Sequence, residues 1–279
     1  MILYKLLIMR ALELHYFYCM VQVQFAQRVA AIVKDDTAIT GLAVGGSWLT
    51  KEMDEFSDLD LILVTTKKVT DETSNMLAYA RRFGQLLTGF TGDHVGEPRL
   101  LICLYNDPLL HVDIKFLTID EFHSRIETPA ILFDREGQLR DSIDKTAPHY
   151  PYPDYQWIED RFWIWVHYAL LKIGRGEYFE ALDFFGFIRG RVLGPLLLIR
   201  NGSRPGGVRR IETKLAAEDL MALKRTLADD NKRSLLEALR HAVALYRDLR
   251  TSLFADAVHF QQATEAKVIE FMNDELFHI

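Results

Sequence analysis

The chain has 279 residues, of which 49% are hydrophobic and 26% are charged. At roughly 150 residues per domain this is one large domain or two small ones, and the composition excludes a disordered chain, a collagen and a coiled-coil rod. The 33 lysines and arginines stand against 39 acidic residues, and the net charge of −6 argues against a nucleic-acid-binding protein, which would carry a basic surface. Two cysteines are too few for a disulfide framework and predict a reducing, cytoplasmic environment. No apolar run is long enough to cross a bilayer, so no membrane partner is expected.

The first segment of the chain, 1–19, is apolar and aromatic but is interrupted by Lys5, Arg10 and Glu13. No small-residue cleavage signal follows it, so it is not predicted to be a signal peptide. From Met20 onward, apolar residues recur at helical spacing and predict an amphipathic helix. Two interpretations stay open: either 1–19 is an extra helix packed on the domain, or Met20 is the natural start.

Between 20 and 147 the sequence alternates short β-like runs with helical patterns. A helix is predicted over 71–87, with Asp71 as its N-cap. Thr118 and Glu121 have the spacing of a capping box, which predicts a short helix after Thr118. Runs rich in β-branched and apolar residues predict five strands, at 41–46, 59–65, 99–105, 109–117 and 131–133.

The pattern changes at three prolines, Pro148, Pro151 and Pro153. Proline lacks an N–H group and disfavours helix, so 148–155 is predicted to be an extended linker. The predicted fold class is α+β: an N-terminal domain at 20–147 with a mixed β-sheet and helices, then an all-α helical bundle at 156–279. Helical spacing in the bundle predicts helices at 156–173, 178–200, 213–227, 232–253 and 256–277.

Three aspartates carry the chemistry predicted for the first domain. Asp58 and Asp60 are two residues apart in a strand pattern, so their side chains point to one face while the leucines beside them point to the other. Neighbouring carboxylates repel each other unless a cation lies between them, and carboxylate oxygens suit Mg²⁺. Asp113, between apolar neighbours on a later strand, can supply a third carboxylate. These three residues are the predicted metal ligands and catalytic residues.

A glycine-rich turn precedes these aspartates. Gly45 and Gly46 end a predicted strand and let a ligand approach the backbone closely, while Ser47 opens the next turn or helix. That arrangement presents backbone N–H groups to a phosphate. Lys115 shares a strand face with Asp113 and can also reach a phosphate, although a solvated lysine fits the pattern equally well. Gly45, Gly46, Ser47 and Lys115 are the predicted nucleotide-binding residues.

The order of these motifs resembles the nucleotidyltransferase superfamily, whose fold is shared with DNA polymerase beta. The family pattern is an apolar residue, Gly, and Gly or Ser, then a gap, then Asp-apolar-Asp or Glu-apolar, and later a third acidic residue between apolar neighbours. Residues 44–47, 58–61 and 112–114 match that pattern in order. The helical second half further resembles bacterial antibiotic adenylyltransferases of the streptomycin or aminoglycoside type. One departure is that Trp48, where the family often has a basic residue, follows the serine.

The resemblance implies a Mg²⁺-dependent enzyme that moves a nucleoside monophosphate, AMP in the adenylyltransferases, from a nucleoside triphosphate (NTP) to a hydroxyl group of a small molecule, with release of pyrophosphate. It implies two Mg²⁺ ions at the aspartates and an antibiotic as a candidate acceptor, hence antibiotic resistance. Two alternatives stay open: transfer to a protein or RNA, as in toxin–antitoxin nucleotidyltransferases, and a non-catalytic nucleotide-binding regulator. A monomer and a homodimer fit the sequence equally.

Two acids in the helical half are candidate substrate contacts. Glu180 and Asp183 lie one turn apart on a strongly apolar helix and so share a face. They could recognise an amino or hydroxyl group of the acceptor, and an acidic chain would attract a cationic acceptor. The alternative is a pair of salt bridges to arginines such as Arg175, Arg189 or Arg191.

Overall fold

The computed structural model describes residues 21–277. The predicted segment 1–19, with both interpretations of it, lies outside these residues. The chain divides into two compact units, Met1–Tyr150 and Pro151–Ile279. The division falls within 146–154, a stretch without helix or strand. Each unit has a hydrophobic core of its own.

The first unit is built around a mixed β-sheet. Its described strands are β1 Ile39–Val44, β2 Leu59–Thr65, β3 Leu86–Gly92, β4 Glu97–Tyr105, β5 Leu110–Leu117 and β6 Ala130–Asp134. They lie in the order β3-β4-β5-β2-β1-β6. Strands β2 and β5 pair in parallel, and the other neighbouring strands pair antiparallel. The parallel pair lies in the middle of the sheet, where it can be covered on both faces.

Among the described residues of this unit, five α-helices accompany the sheet: α1 at 21–34, α2 Ser47–Thr50, α3 Thr73–Phe83, α4 Ile119–Phe122 and α5 Gln138–Lys145. Side chains alternate across each strand, so one sheet face buries the leucines of β2 against α1 and α3. On the opposite face, Val64 and Leu117 at one end of the parallel pair pack against Phe122 of α4 and Leu139 of α5. Asp60 and Asp113 share this second face and lie at the other end of the pair. The polar end of this face is where the site forms.

Several local predictions for the first unit are confirmed, and two elements were missed. The capping box of Thr118 and Glu121 forms: each residue accepts a hydrogen bond from the backbone N–H of the other. The helix predicted over 71–87 was too long at both ends: α3 begins at Thr73 after extended backbone at Glu72, which takes the N-cap position predicted for Asp71, and β3 begins at Leu86. The helical spacing of the residues before Leu86 predicted a helix that continued into β3. The β3 strand forms by pairing with β4, which is a tertiary contact. Helix α5 was also missed.

The second unit is all helical. Its described helices are α6 Tyr155–Arg175, α7 Tyr178–Ile188, α8 Gly194–Arg200, α9 Ile211–Lys214, α10 Ala217–Lys224, α11 Lys232–Leu253 and α12 Gln262–Met272. Asp154 caps α6 by accepting a hydrogen bond from the Trp157 backbone N–H at 3.1 Å. With the sheet unit before it, this bundle confirms the predicted α+β fold class.

Three of the predicted bundle helices are interrupted or shorter in the structure. The helix predicted over 178–200 contains a π-helical segment, Arg189–Leu193, in which the Gly194 N–H donates to the Arg189 carbonyl. Pro195 follows, and a proline inside a helix removes a hydrogen bond and clashes with the preceding turn. The segment 213–227 is broken by extended backbone at Leu215 and Ala216, and 256–277 becomes helical only from Gln262.

Within 21–277, none of the helices combines the length and the apolar composition that crossing a bilayer requires.

Candidate active site

Three aspartates come together at the polar end of the β2–β5 pair. One carboxylate oxygen from each of Asp58, Asp60 and Asp113 lies within 4.8 Å of the other two. All three side chains are half-buried. Half-buried carboxylates at this distance raise one another's electrostatic energy, so the cluster favours a cation.

Sheet register explains how residues more than fifty positions apart meet. Strands β2 and β5 pair in parallel, and Asp60 lies directly beside Asp113. Partners across a strand pair point to the same face, so both carboxylates leave the sheet together. Asp58 immediately precedes β2 and lies two residues before Asp60, which returns its side chain to the same side.

The glycine turn lies against this cluster. The Gly45 N–H donates to the backbone carbonyl of Asp60 at 3.0 Å, which ties the end of β1 to the start of β2. Gly46 has φ 60° and ψ −137°, a conformation that only glycine adopts readily. A Cβ atom at this residue would lie 1.9 Å from Asp60 Oδ2. Ser47 then begins the short helix α2. The close approach of Gly46 to Asp60 places the turn next to the carboxylates.

One residue of the site was missed by the sequence analysis. The Gly46 N–H donates to Glu127 Oε1 at 2.9 Å, and a Cβ on Gly45 would lie 2.8 Å from the same oxygen. Glu127 lies in the segment between α4 and β6, 81 positions after Gly46. No motif surrounds it, so no local signal could have identified it.

His111 shares a strand face with Asp113. Its Nε2 lies 2.9 Å from Asp113 Oδ1, and half of its side chain is exposed. The spacing of two residues on one strand was the signal that could have indicated this contact. The imidazole therefore touches one carboxylate of the triad.

Lys115 lies on the same strand face but has an ionic partner. Its Nζ lies 2.7 Å from Glu97 Oε2, and Arg99 Nε lies 2.7 Å from Glu97 Oε1. Partial burial alone would raise the pKa of Glu97, but the hydrogen bonds from Arg99 and Lys115 outweigh it and lower the pKa from 4.5 to about 2. Lys115, which lies two residues after Asp113 on β5, is thus paired with Glu97 of β4.

The two candidate acceptor contacts belong to the second unit. Glu180 accepts a hydrogen bond from the Tyr168 hydroxyl and pairs with Lys172 Nζ at 2.9 Å. These contacts, first from Tyr168 and then from Lys172, lower the pKa of Glu180. Asp183 is exposed on the next turn of α7. Lys172 and Tyr168, rather than the arginines considered above, are the partners of Glu180.

The donor set of the triad fits a divalent cation. Oxygen ligands of one Mg²⁺ lie about 2 Å from the ion and therefore at most about 4 Å from one another, which small side-chain rotations reach from the observed spacing. All three ligands are carboxylates, and hard oxygen donors suit Mg²⁺, Ca²⁺ or Mn²⁺ rather than Zn²⁺. The residues present therefore fit the metal that the sequence predicts.

Comparisons with known proteins give matches among solved structures. No protein-family model and no curated protein matches the chain. The chain is similar to an aminoglycoside 6-adenyltransferase from Bacillus subtilis, with 14% sequence identity and a TM-score of 0.40, covering 90% of this chain and 97% of that chain. It is also similar to a nucleotidyltransferase-like protein from Exiguobacterium sibiricum 255-15, with 12% identity and a TM-score of 0.33, covering 80% of this chain and 74% of that chain.

Proposed function

We propose that this chain is a nucleotidyltransferase that moves a nucleoside monophosphate, AMP in the first instance, from an NTP to a hydroxyl group of a small molecule. The observation that carries the proposal is the convergence of three carboxylates beside the Gly45–Gly46 turn. A nucleoside triphosphate needs both parts, because its phosphates require hydrogen-bond donors and its charge requires cations. The fold class agrees with this proposal but does not argue for it, since one fold supports many activities.

Asp58, Asp60 and Asp113 are the proposed metal ligands. Up to two Mg²⁺ ions, when bound there, would neutralise the triphosphate charge and orient its α-phosphorus for attack. Asp58 immediately precedes β2, and Asp60 is the second residue of β2. Their positions are therefore set by a central strand of the sheet rather than by a mobile loop. Such rigid placement is what a reaction that depends on positioning requires.

Asp113 is the proposed base. Its carboxylate would accept the proton of the acceptor hydroxyl as that oxygen forms a bond to the α-phosphorus, while the bond from the α-phosphorus to the bridging oxygen breaks and pyrophosphate leaves with the electron pair. His111, 2.9 Å from Asp113 Oδ1, would orient this carboxylate. Half of the imidazole is exposed, so it can also pass the proton to solvent.

The phosphates are proposed to contact the backbone of Gly45, Gly46 and Ser47. A side chain on Gly46 would fill the space beside Asp60, which explains the glycine there. Lys115, which shares a strand face with Asp113, is proposed to contribute positive charge nearby, and its Nζ also pairs with Glu97 Oε2 at 2.7 Å. The backbone N–H groups of the turn would orient the phosphates through hydrogen bonds, and the lysine would offset part of their negative charge.

Pyrophosphate release tests the function directly. The purified chain is incubated with Mg²⁺, each of the four NTPs, and a panel of aminoglycosides and lincosamides, beside a cell extract as a source of other acceptors. We expect pyrophosphate to form with one NTP only when a small-molecule acceptor is present. Label transferred from NTP to protein or RNA would instead favour the toxin–antitoxin class, and nucleotide binding without transfer to any acceptor would favour a regulator.

Acceptor recognition is proposed for Glu180 and Asp183 of α7. Replacing them with Gln and Asn removes two negative charges, so the KM for a cationic acceptor should rise while the Kd for Mg–ATP, measured by calorimetry, stays unchanged. Loss of Mg–ATP binding in a folded double variant would contradict this division. A matched control is the replacement of the exposed Asp229 and Asp230 with Asn, which removes the same number of charges from the same unit.

A further inference from the structure

Glu127 makes an unusual contact for a phosphate-binding turn. Its carboxylate accepts the Gly46 N–H at 2.9 Å and lies where a side chain on Gly45 would be. A carboxylate oxygen and a phosphate oxygen are both anionic acceptors, and each forms a short, charge-assisted hydrogen bond with a backbone N–H. Glu127 therefore holds the donor that a nucleotide phosphate would use.

The Glu127 carboxylate and a nucleotide phosphate are both anions, so they cannot both bind the Gly46 N–H. The turn already lies against the Asp60 carboxylate on one side and the Glu127 carboxylate on the other. A triphosphate brought to the same N–H would face Glu127 at hydrogen-bonding distance, and two anions on one donor repel each other. One of them must leave the turn.

The surroundings of Glu127 let its side chain leave without unfolding the unit. Arg125, two residues earlier, donates to the Ile143 carbonyl at 3.1 Å, and its own carbonyl accepts the His149 N–H at 2.8 Å. The neighbouring Ile126 and Thr128 are exposed. The backbone is thus anchored at Arg125, and a side-chain rotation of Glu127 is enough to release Gly46.

We propose that Glu127 is a built-in competitor of the phosphate: it holds the Gly45–Gly46 turn in the nucleotide-free chain and is displaced when the triphosphate binds. This inference rests on the proposed function, because it takes the turn as the phosphate site. Glu127 sets how tightly phosphate-bearing ligands bind, because its contact with the Gly46 N–H must break before a phosphate can use that donor.

Calorimetry of two variants tests the inference. Glu127→Ala removes the competing anion, and Glu127→Gln keeps the shape and an acceptor oxygen but removes the charge. The dissociation constant for magnesium pyrophosphate and for Mg–ATP should fall by about tenfold in the alanine variant, the scale of one charged hydrogen bond, and by less in the glutamine variant. Binding of adenosine, which has no phosphate, should not change. Glu136→Gln, an exposed glutamate outside the turn, is the matched control and should bind all three ligands as the wild type does.

The outcomes separate this inference from the proposed function. If folded wild type and folded variants all fail to bind Mg–ATP and pyrophosphate, the proposed function fails. If wild type binds both and the two variants bind them equally or more weakly, the competitor role is overturned and the function stands. A gain that extends to adenosine would also overturn it, because the effect would not involve the phosphate. The glutamine variant guards against misfolding, since it preserves the volume of the side chain.

Discussion

At the scale of single residues, Gly46 is the most constrained position of the site. Its φ of 60° excludes most side chains, and a Cβ would lie 1.9 Å from Asp60 Oδ2. Two demands therefore meet at one residue: a backbone that turns sharply after β1, and space for a carboxylate that is proposed to bind metal. Glycine satisfies both at once.

Replacing Gly46 with alanine should lower the free energy of unfolding by about 2–3 kcal/mol and weaken Mg–ATP binding, because the methyl group strains the backbone and pushes Asp60 away. The matched control is Gly137→Ala: Gly137 also has a positive φ, 75°, but nothing lies within 4 Å of an added Cβ. The control should lose only about 1 kcal/mol and bind nucleotide normally. Urea denaturation and calorimetry measure the two quantities. Equal effects of both substitutions would show that Asp60 does not need the space at Gly46.

Removing one charge from the triad separates catalysis from stability. Asp58→Asn and Asp60→Asn should each lower Mg²⁺-dependent pyrophosphate release by about two orders of magnitude or more. The free energy of unfolding without metal should stay the same or rise, because two neighbouring anions no longer repel each other. Mg²⁺ should raise the Tm of the wild type and of the control Asp144→Asn, but not of the triad variants. Full activity in both triad variants would remove the basis of the proposed function.

At the scale of elements, strand β5 carries both Asp113 and Lys115, and the neighbouring strand β4 carries Glu97 and Arg99. Glu97 pairs with both Lys115 and Arg99. Arg99 Nη1 also lies 3.6 Å from Oε1 of Glu121, the capping-box residue of α4. The series of ion pairs therefore extends from the sheet to helix α4. A network of this kind is stronger than an isolated surface pair, because Glu97 and Arg99 each have two charged partners.

The depressed pKa of Glu97 predicts a specific pH dependence. A carboxyl whose folded pKa lies below its unfolded value stabilises the fold above the unfolded pKa, and that contribution is lost as the pH falls through the folded pKa. The difference in unfolding free energy between wild type and Glu97→Gln should thus be constant above pH 4.5 and shrink between pH 4.5 and about 2. Urea denaturation at a series of pH values measures it, with Glu136→Gln as the control. A difference that stays constant down to pH 2 would show that Glu97 is not ion-paired in solution.

At the scale of the whole molecule, the two units are stabilised in different ways. The first unit packs helices on a sheet, whereas the core of the second contains a fully buried carboxylate, Glu159. Glu159 accepts hydrogen bonds from Tyr246, from Arg250 at 3.0 Å, and from the Gln261 backbone N–H at 3.0 Å. Burial and the hydrogen bond to Glu159 raise the pKa of Tyr246. This network joins α6, α11 and the chain before α12.

Glu159→Gln should destabilise the second unit selectively. Arg250 would lose one buried partner and keep Glu265, 2.9 Å away, so the expected loss is about 3 kcal/mol, the low end for a broken buried ion pair. Hydrogen exchange measured by mass spectrometry should show faster exchange in the helices after Pro151 and unchanged exchange in the β-sheet. The exposed Glu237→Gln on α11 is the control. Faster exchange throughout both units would show that they unfold together.

Most of the fold could be predicted because its elements follow local rules. The strand Leu59–Thr65 and the helix Lys232–Leu253 have the predicted bounds, since each carries an uninterrupted apolar pattern with turn or capping residues at its ends. Asn231 caps the latter by accepting the Ser234 N–H. Strand β3 could not be predicted, because its residues continue a helical pattern and become a strand only by pairing with β4.

For the site, the sequence by itself determined which residues are proposed to carry the chemistry: three aspartates and a glycine turn, identified by alternation along strands and by the backbone freedom of glycine. Only the tertiary structure decided their neighbours. The parallel register brings Asp113 beside Asp60, the pairing with Glu97 holds Lys115, and the segment between α4 and β6 places Glu127 on the Gly46 N–H. Local spacing sets the direction of a side chain within one element, whereas contacts between distant elements depend on strand order and chain path, which no short pattern in the sequence encodes.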